Sequence, residues 1–97
     1  MKMTNHQKQL WQSMIDQIQN YLDGKNKDFF SLVGSLEGAL DASGITDSQV
    51  INKWYDFWTP LEIRRLIQGN NVDSEKATLE LKKMKDFLLQ YKTVSKK

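Results

Sequence analysis

The chain has 97 residues, of which 39% are hydrophobic and 27% are charged, and its formal net charge is +2. This balance is typical of one globular domain with a single hydrophobic core. The absence of cysteine excludes disulfides, thiolate nucleophiles and zinc sites that need sulfur. No segment approaches the roughly 20 apolar residues of a membrane span, and residues 1–9 contain no apolar run. We therefore expect a cytoplasmic protein with no membrane partner.

The first predicted helix covers residues 4–23. Its apolar side chains recur at spacings of three and four residues and form one stripe, made of Leu10, Trp11, Met14, Ile15, Ile18, Tyr21 and Leu22. Gly24 follows the stripe, and glycine readily adopts the left-handed conformation in which many helices end.

A second helix is predicted over residues 27–43, with Gly44 at its end. Its apolar stripe consists of Phe29, Val33, Leu36 and Leu40. Gly34 and Gly38 lie on the side away from this stripe. Two interpretations stay open for them: they allow another helix to approach closely, or they are merely tolerated on an exposed face.

The centre of the chain carries two signals for the start of a helix. Residues 46–49 (TDSQ) match a capping box formed by Thr46 and Gln49, and a helix rich in aromatic residues is predicted from there to about Trp58.

The sequence TPLE repeats the start signal, with Thr59 as N-cap and Pro60 at the first helical position. Ile63 is expected to pack against Trp58 in a hydrophobic staple. The pattern thus predicts a separate short helix that stops near Gln68, after a sharp bend at Thr59-Pro60.

The last helix is predicted over residues 73–91, followed by a frayed basic tail at residues 92–97. Its core stripe consists of Ala77, Leu81, Met84, Leu88 and Tyr91. No alternating pattern of a β-strand occurs. The predicted fold is all-α: one domain over residues 1–97, organised as a compact bundle of four to five helices.

The residues offer few routes to catalysis. The only histidine, His6, precedes the first apolar residue of its helix, so a nucleophile has a poor candidate base. Calcium-binding and phosphate-binding loops are missing from the sequence. Glu37 and Asp41 lie one helical turn apart and could in principle form a metal site, but two carboxylates at this spacing usually belong to an ordinary helix surface. We therefore predict a protein that is not an enzyme and uses no metal or cofactor.

Four residues are least explained by folding and form the predicted partner-binding site: Glu37, Phe57, Arg64 and Arg65. Glu37 interrupts the apolar stripe of its helix, so it either reaches water at the edge of the stripe or pairs with Arg64 or Arg65. Phe57 lies at the edge of a crowded aromatic face. Aromatic residues and arginine dominate binding hot spots.

The C-terminal part supports an alternative function in nucleic-acid binding. From residue 82 onward the sequence has six lysines and one acid. The residues available for phosphate contacts and base stacking are Lys82, Lys83, Lys85, Tyr91 and Lys92. Leu79 and Leu89, exposed among these lysines, would also suit a modest protein-binding face.

Residues 21–68 resemble a group of small, largely uncharacterised helical proteins of bacteria. The resemblance lies in the segment LVGSLEGAL (residues 32–40), followed by Trp54, Phe57, Trp58 and Leu61-Glu62. Some of these proteins are immunity proteins that neutralise a cognate toxin, and the resemblance implies binding to a toxin by surface complementarity. The predicted function is a small non-enzymatic protein-binding module, of which an immunity or antitoxin-like inhibitor is one form. Another protein or a second copy of the chain is the expected partner.

Overall fold

A computed structural model of the chain describes the backbone of residues 3–95 and the side chains of residues 3–91. It contains four α-helices, with a 3₁₀ turn at Gly69–Asn71 between the last two: α1 (Asn5–Leu22), α2 (Phe29–Ser43), α3 (Ser48–Gln68) and α4 (Ser74–Ser95). The backbone from residue 3 to residue 95 forms no β-strand. The predicted all-α class is confirmed, with four helices.

Cross-helix hydrogen bonds show that neighbouring helices are antiparallel. Gln7, at the start of α1, donates to the carbonyl of Ser43, at the end of α2, over 3.2 Å. Trp11, also near the start of α1, donates to the carbonyl of Leu88 near the end of α4 over 2.8 Å. Short connections between successive helices continue this alternation through α3. The result is a four-helix bundle in which α1 and α4 close the ring.

The core is built on the stripes predicted for α1, α2 and α4. Their fully buried members include Met14, Ile18, Phe29, Val33, Leu36, Leu81, Met84 and Leu88. Gly44 ends α2 in the left-handed conformation (φ 67°), as predicted from the sequence. Apolar spacing therefore predicted the inner faces of three helices, and Gly44 predicted the end of α2.

The three tryptophans each bring a polar N–H group into the core. Trp11 bonds to α4 as described above. Trp58 donates to the carbonyl of Val33 on α2 over 3.0 Å, and Trp54 lies 3.4 Å from the sulfur of Met14 on α1. A buried N–H without an acceptor costs about 1–3 kcal/mol, so these bonds favour one rotation of each helix over others.

The start of α3 differs from the prediction. Asp47, not Thr46, is the N-cap, and its carboxylate accepts from the backbone N–H groups of Gln49 (3.0 Å) and Val50 (3.3 Å). A carboxylate interacts favourably with the positive end of the helix dipole, which a hydroxyl does not match. The predicted Thr46–Gln49 capping box is wrong by one residue.

The predicted helix break at Thr59-Pro60 is also wrong, because α3 runs through Pro60 without interruption. A proline in a helix interior costs about 3 kcal/mol. On the two sides of Pro60, Trp58 is 7% exposed and Leu61 is fully buried. Burying such side chains contributes about 1.5–3 kcal/mol each. Packing on both sides of the proline thus offsets the lost backbone hydrogen bond.

The last helix is longer than predicted, because α4 continues past Tyr91 to Ser95. The predicted fraying of residues 92–97 stays a prediction. The side chains from Lys92 onward, and all of residues 96–97, lie outside the described part of the chain.

Replacing Pro60 tests the continuity of α3. In Pro60→Ala, alanine restores the N–H group that bonds to the carbonyl of Asp56, and the free energy of unfolding should rise by about 1–3 kcal/mol. Thr59→Ala is the control: it should change stability by about 0.5 kcal/mol or less, since Thr59 caps no helix here. Urea denaturation measures both. A loss of about 1 kcal/mol in both variants would instead indicate a helix that starts at Thr59.

Candidate functional site: the groove between α3 and α4

The structure separates the four predicted partner-binding residues into two pairs. Phe57 and Arg64 face α4, where they line a groove. Glu37 and Arg65 lie on the opposite side of α3, at its contact with α2. Consecutive residues of a helix point about 100° apart, so neighbours in sequence such as Arg64 and Arg65 reach different neighbouring helices.

Glu37 pairs with a tyrosine rather than with an arginine. The Tyr55 hydroxyl donates to Oε2 of Glu37 over 3.1 Å, and both side chains are half-buried. Of the two alternatives left open for Glu37, the ion pair does not form: Arg64 pairs with Glu80 and Arg65 with Glu62 instead. Burial, followed by the hydrogen bond to the carboxylate, raises the pKa of Tyr55 above its usual value of 10.0.

Arg65 fills the space that a small residue leaves on α2. Its Nη2 lies 3.0 Å from Oε1 of Glu62, and its guanidinium carbon lies 4.7 Å from the ring centroid of Phe30. A Cβ atom at Gly34 would lie only 2.7 Å from Nη1 of Arg65, whereas one at Gly38 would meet nothing within 4 Å. Of the two interpretations left open for these glycines, a close approach applies to Gly34 and an exposed face to Gly38. The approaching group is one side chain, not a helix backbone.

A groove runs between α3 and α4 and contains two of the predicted site residues, Phe57 and Arg64. Phe57 of α3 stacks on Phe87 of α4 with their ring centroids 5.1 Å apart, in the wall of the wider end, which holds about 540 Å³. Arg64 forms an ion pair with Glu80 across the narrower end, which holds about 360 Å³. Further lining residues are Lys53, Asp56, Thr59, Pro60, Ile63, Ile67, Gln68, Lys83, Asp86 and Gln90.

The narrower end of the groove opens onto exposed aliphatic side chains. Ile63, Leu66 and Ile67 are 52%, 70% and 77% exposed. Since they lie three and four residues apart on α3, they form one surface, here called the α3 apolar patch. Among the described residues, Phe30, Leu79 and Leu89 are the other exposed large hydrophobic side chains.

Sequence reasoning missed the α3 apolar patch because it restarted the helix at Thr59. Ile63 was then expected to pack against Trp58, but it is half exposed. The signal was present: at 100° per residue, a continuous helix places Ile63, Leu66 and Ile67 opposite the buried Leu61.

The lysines of the alternative site lie on different sides of α4. Lys83 is exposed and lines the groove toward α3, and Lys82 is also exposed. Lys85 bonds to Gln19 on α1, on the other side of the helix. Two of these lysines thus face different neighbouring helices, which does not favour a single surface for a phosphate backbone.

Tyr91, the predicted stacking residue, is half-buried. Its ring centroid lies 5.8 Å from that of Trp11 and 6.1 Å from that of Phe87. Desolvation, followed by the nearby charge of Asp47, raises its pKa above 10.0. Its ring is thus already engaged in aromatic packing. The side chain of Lys92 lies outside the described residues.

Known proteins provide no template for this site, since no family model, curated protein or solved structure matches the chain. The resemblance of residues 21–68 to bacterial immunity proteins stays a prediction. Within the described residues, no three metal-ligating side chains come together. No helix in that part of the chain is long and apolar enough to cross a membrane.

The two glycines of α2 should respond differently to alanine. Gly38→Ala should raise the free energy of unfolding by about 0.5–1 kcal/mol, because alanine is the better helix former and the space around it is open. Gly34→Ala should gain less, because its Cβ displaces the Arg65 guanidinium from Phe30. Urea denaturation of both variants measures the difference. Equal gains would contradict the position of Arg65.

Tyr55 should contribute to alkaline unfolding. Because its pKa is raised in the folded state, its contribution to stability is present below pH 10.0 and is lost as the pH rises through the folded pKa. Tyr55→Phe should therefore lose less stability than the native chain between about pH 9 and about pH 11. Thermal unfolding across this range measures the difference. Parallel losses in both proteins would show that the Tyr55 hydroxyl titrates alike in the folded and unfolded chains.

Proposed function

We propose that this chain is a small non-enzymatic protein-binding module that binds its partner through the α3 apolar patch and the adjoining groove. The observation that carries the proposal is the exposure of Ile63, Leu66 and Ile67 side by side on one helix. Isolated exposed hydrophobic residues are normal, but a contiguous patch beside a groove is typical of a protein-interaction surface.

The size of the α3 apolar patch indicates how much of the groove a partner needs. Its three residues are about two-thirds exposed on average. At about 1.5–3 kcal/mol for each fully buried aliphatic side chain, covering them contributes about 3–6 kcal/mol. A micromolar complex needs about 8 kcal/mol, before the cost of association is added. A partner of that affinity must therefore also contact groove residues such as Phe57 and Pro60.

The specific form that the resemblance supports is an immunity or antitoxin-like inhibitor in the bacterial cytoplasm. Its partner would be a toxin, whose surface the α3 apolar patch and the groove would cover. Inhibition of this kind needs surface complementarity and no catalytic group on this chain.

The alternative, nucleic-acid binding by α4, has less support because Lys83 and Lys85 face different neighbouring helices. A salt titration with random duplex DNA separates the two functions. Micromolar affinity that falls steeply with added salt would support the nucleic-acid function. Absence of binding at low salt would remove it.

Substitutions that shorten one exposed side chain test the proposed surface. A tagged chain captures its partner from the source cells, and calorimetry then compares the variants. Ile67→Ala should weaken binding about fivefold to thirtyfold, as expected for loss of an interface anchor. Leu79→Ala is the matched control, because Leu79 is 60% exposed on α4 and lines no part of the groove. Its affinity should stay within about twofold of the native value.

The arginines and lysines provide a second comparison. Arg64→Ala should weaken partner binding, and Arg65→Ala should leave it nearly unchanged, because Arg65 lies on the α2 side of α3. If only Lys82→Ala or Lys85→Ala weakened binding, the partner would bind α4 and the proposed surface would be wrong.

A further inference from the structure

The wider end of the groove between α3 and α4 is lined by four charged side chains that the fold leaves unpaired. They are Lys53 and Asp56 of α3 and Lys83 and Asp86 of α4, and all four are exposed. Among the described residues, none of these side chains forms an ion pair or a hydrogen bond. The narrower end differs, because its two charged side chains pair with each other.

Two contacts fix the register of α3 against α4 along the groove. The Phe57 ring stacks on that of Phe87. Arg64, seven residues later on α3, pairs with Glu80, seven residues earlier on α4. The two helices are therefore antiparallel, and each step of one residue along either helix advances about 1.5 Å along the groove.

This register arranges the unpaired charges in the order positive, negative, positive. Asp56 and Asp86 each immediately precede one of the stacked phenylalanines, so the two carboxylates lie at nearly the same level on opposite walls. Lys53 lies about one turn from Asp56 toward the start of α3, and Lys83 lies about one turn from Asp86 in the other direction. The lysines are thus about 12 Å apart along the groove, with both carboxylates between them.

A partner that complements this order carries acidic, basic and acidic groups along one line. An α-helix provides such a line, because residues four apart lie on one face and two such steps advance about 12 Å. A groove between two packed helices is also a shape that accepts an amphipathic helix. The central basic group would meet both carboxylates and the half-buried ring of Phe57, a combination that favours the guanidinium of arginine.

We propose that the occupant of the groove is an amphipathic helix of the partner protein, with acidic, basic and acidic residues at positions i, i+4 and i+8. This inference rests on the proposed function, since it gives the chemistry of the partner that the same surface binds. The basic residue lies between Asp56 and Asp86, and the acidic residues contact Lys53 and Lys83. Apolar residues further along the same face, at i+11 and i+15, then cover the α3 apolar patch.

Synthetic peptides test the charge order with the full chain. One peptide carries Glu, Arg and Glu at the three charged positions and leucine at the two apolar positions, and a second has the same composition with Arg moved to the end of the triplet. Both are also made with the leucines before the triplet, since its order reads alike in both directions. Fluorescence anisotropy should show about fivefold or more tighter binding of the Glu-Arg-Glu peptide, because the rearranged triplet sets like charges against each other. Circular dichroism should show that this peptide gains helix on binding.

Reversing a charge on the protein locates the effect in the groove. Asp86→Lys should weaken binding of the Glu-Arg-Glu peptide about fivefold or more, and a peptide with Glu at the central position should recover the lost affinity. Asp41→Lys is the matched control: it reverses an exposed carboxylate on α2, outside the groove, and should change affinity by less than about twofold.

The position of Asp86 keeps folding and binding apart. Its side chain is exposed, so circular dichroism of Asp86→Lys should match the native helix signal. If that variant loses helix, Asp56→Lys makes the same exchange on the opposite wall and replaces it in the same measurement.

The outcomes distinguish this inference from the proposed function. Equal affinity for the two peptides overturns the charge order, and so does an Asp86→Lys variant that binds the Glu-Arg-Glu peptide as well as the native chain does. If no peptide binds, the helical occupant is wrong. In each case the proposed function stands if Ile67→Ala still weakens binding to a captured partner, and it fails if that affinity is unchanged.

Discussion

The rotation of α3 about its own axis is the constraint on which the proposed binding surface depends. Two buried indoles set it: Trp58 bonds to the carbonyl of Val33 on α2, and Trp54 bonds to the sulfur of Met14 on α1. A different rotation would either leave these N–H groups buried without acceptors or expose the indole rings to water. With these bonds in place, the side of α3 opposite the indoles must face solvent, and the α3 apolar patch lies there.

The same rotation explains the electrostatics of the site. It points Arg64 toward Glu80 on α4 and Arg65 toward Gly34 on α2. Each arginine is then neutralised by a glutamate, and neither carries a free charge into the solvent around the patch. A surface that combines large exposed aliphatic side chains with paired charges favours apolar partners.

Pro60 shows how packing outweighs a local signal. Its ring removes one helical hydrogen bond, yet it lies between the buried residues Trp58 and Leu61 on one unbroken helix. If α3 had ended at Thr59, the hydrogen bonds of Trp54 and Trp58 would not have set the rotation of the following helix. Continuity through Pro60 carries their rotation to Gln68, and so determines which face of the last turns is exposed.

The sequence by itself determined the all-α class, the inner faces of α1, α2 and α4, and the end of α2 at Gly44. These features depend on interactions within a few residues, such as apolar spacing and a left-handed glycine, which a single chain displays directly. Phe57 and Arg64, which were singled out in the sequence, line the groove between α3 and α4. The sequence did not reveal the α3 apolar patch or the true partner of Glu37.

Only the tertiary structure decided the course of α3, and with it the position of the α3 apolar patch. An N-cap at Thr59 would stabilise a new helix by about 1 kcal/mol. Burial of Trp58 and Leu61, on the two sides of Pro60, stabilises the continuous helix by about 3–6 kcal/mol. Contacts between helices that are distant in sequence thus outweigh the local signal for a helix start at Thr59. For the same reason Glu37 pairs with Tyr55 rather than with an arginine: partners between helices depend on their relative rotation, which the buried tryptophans set.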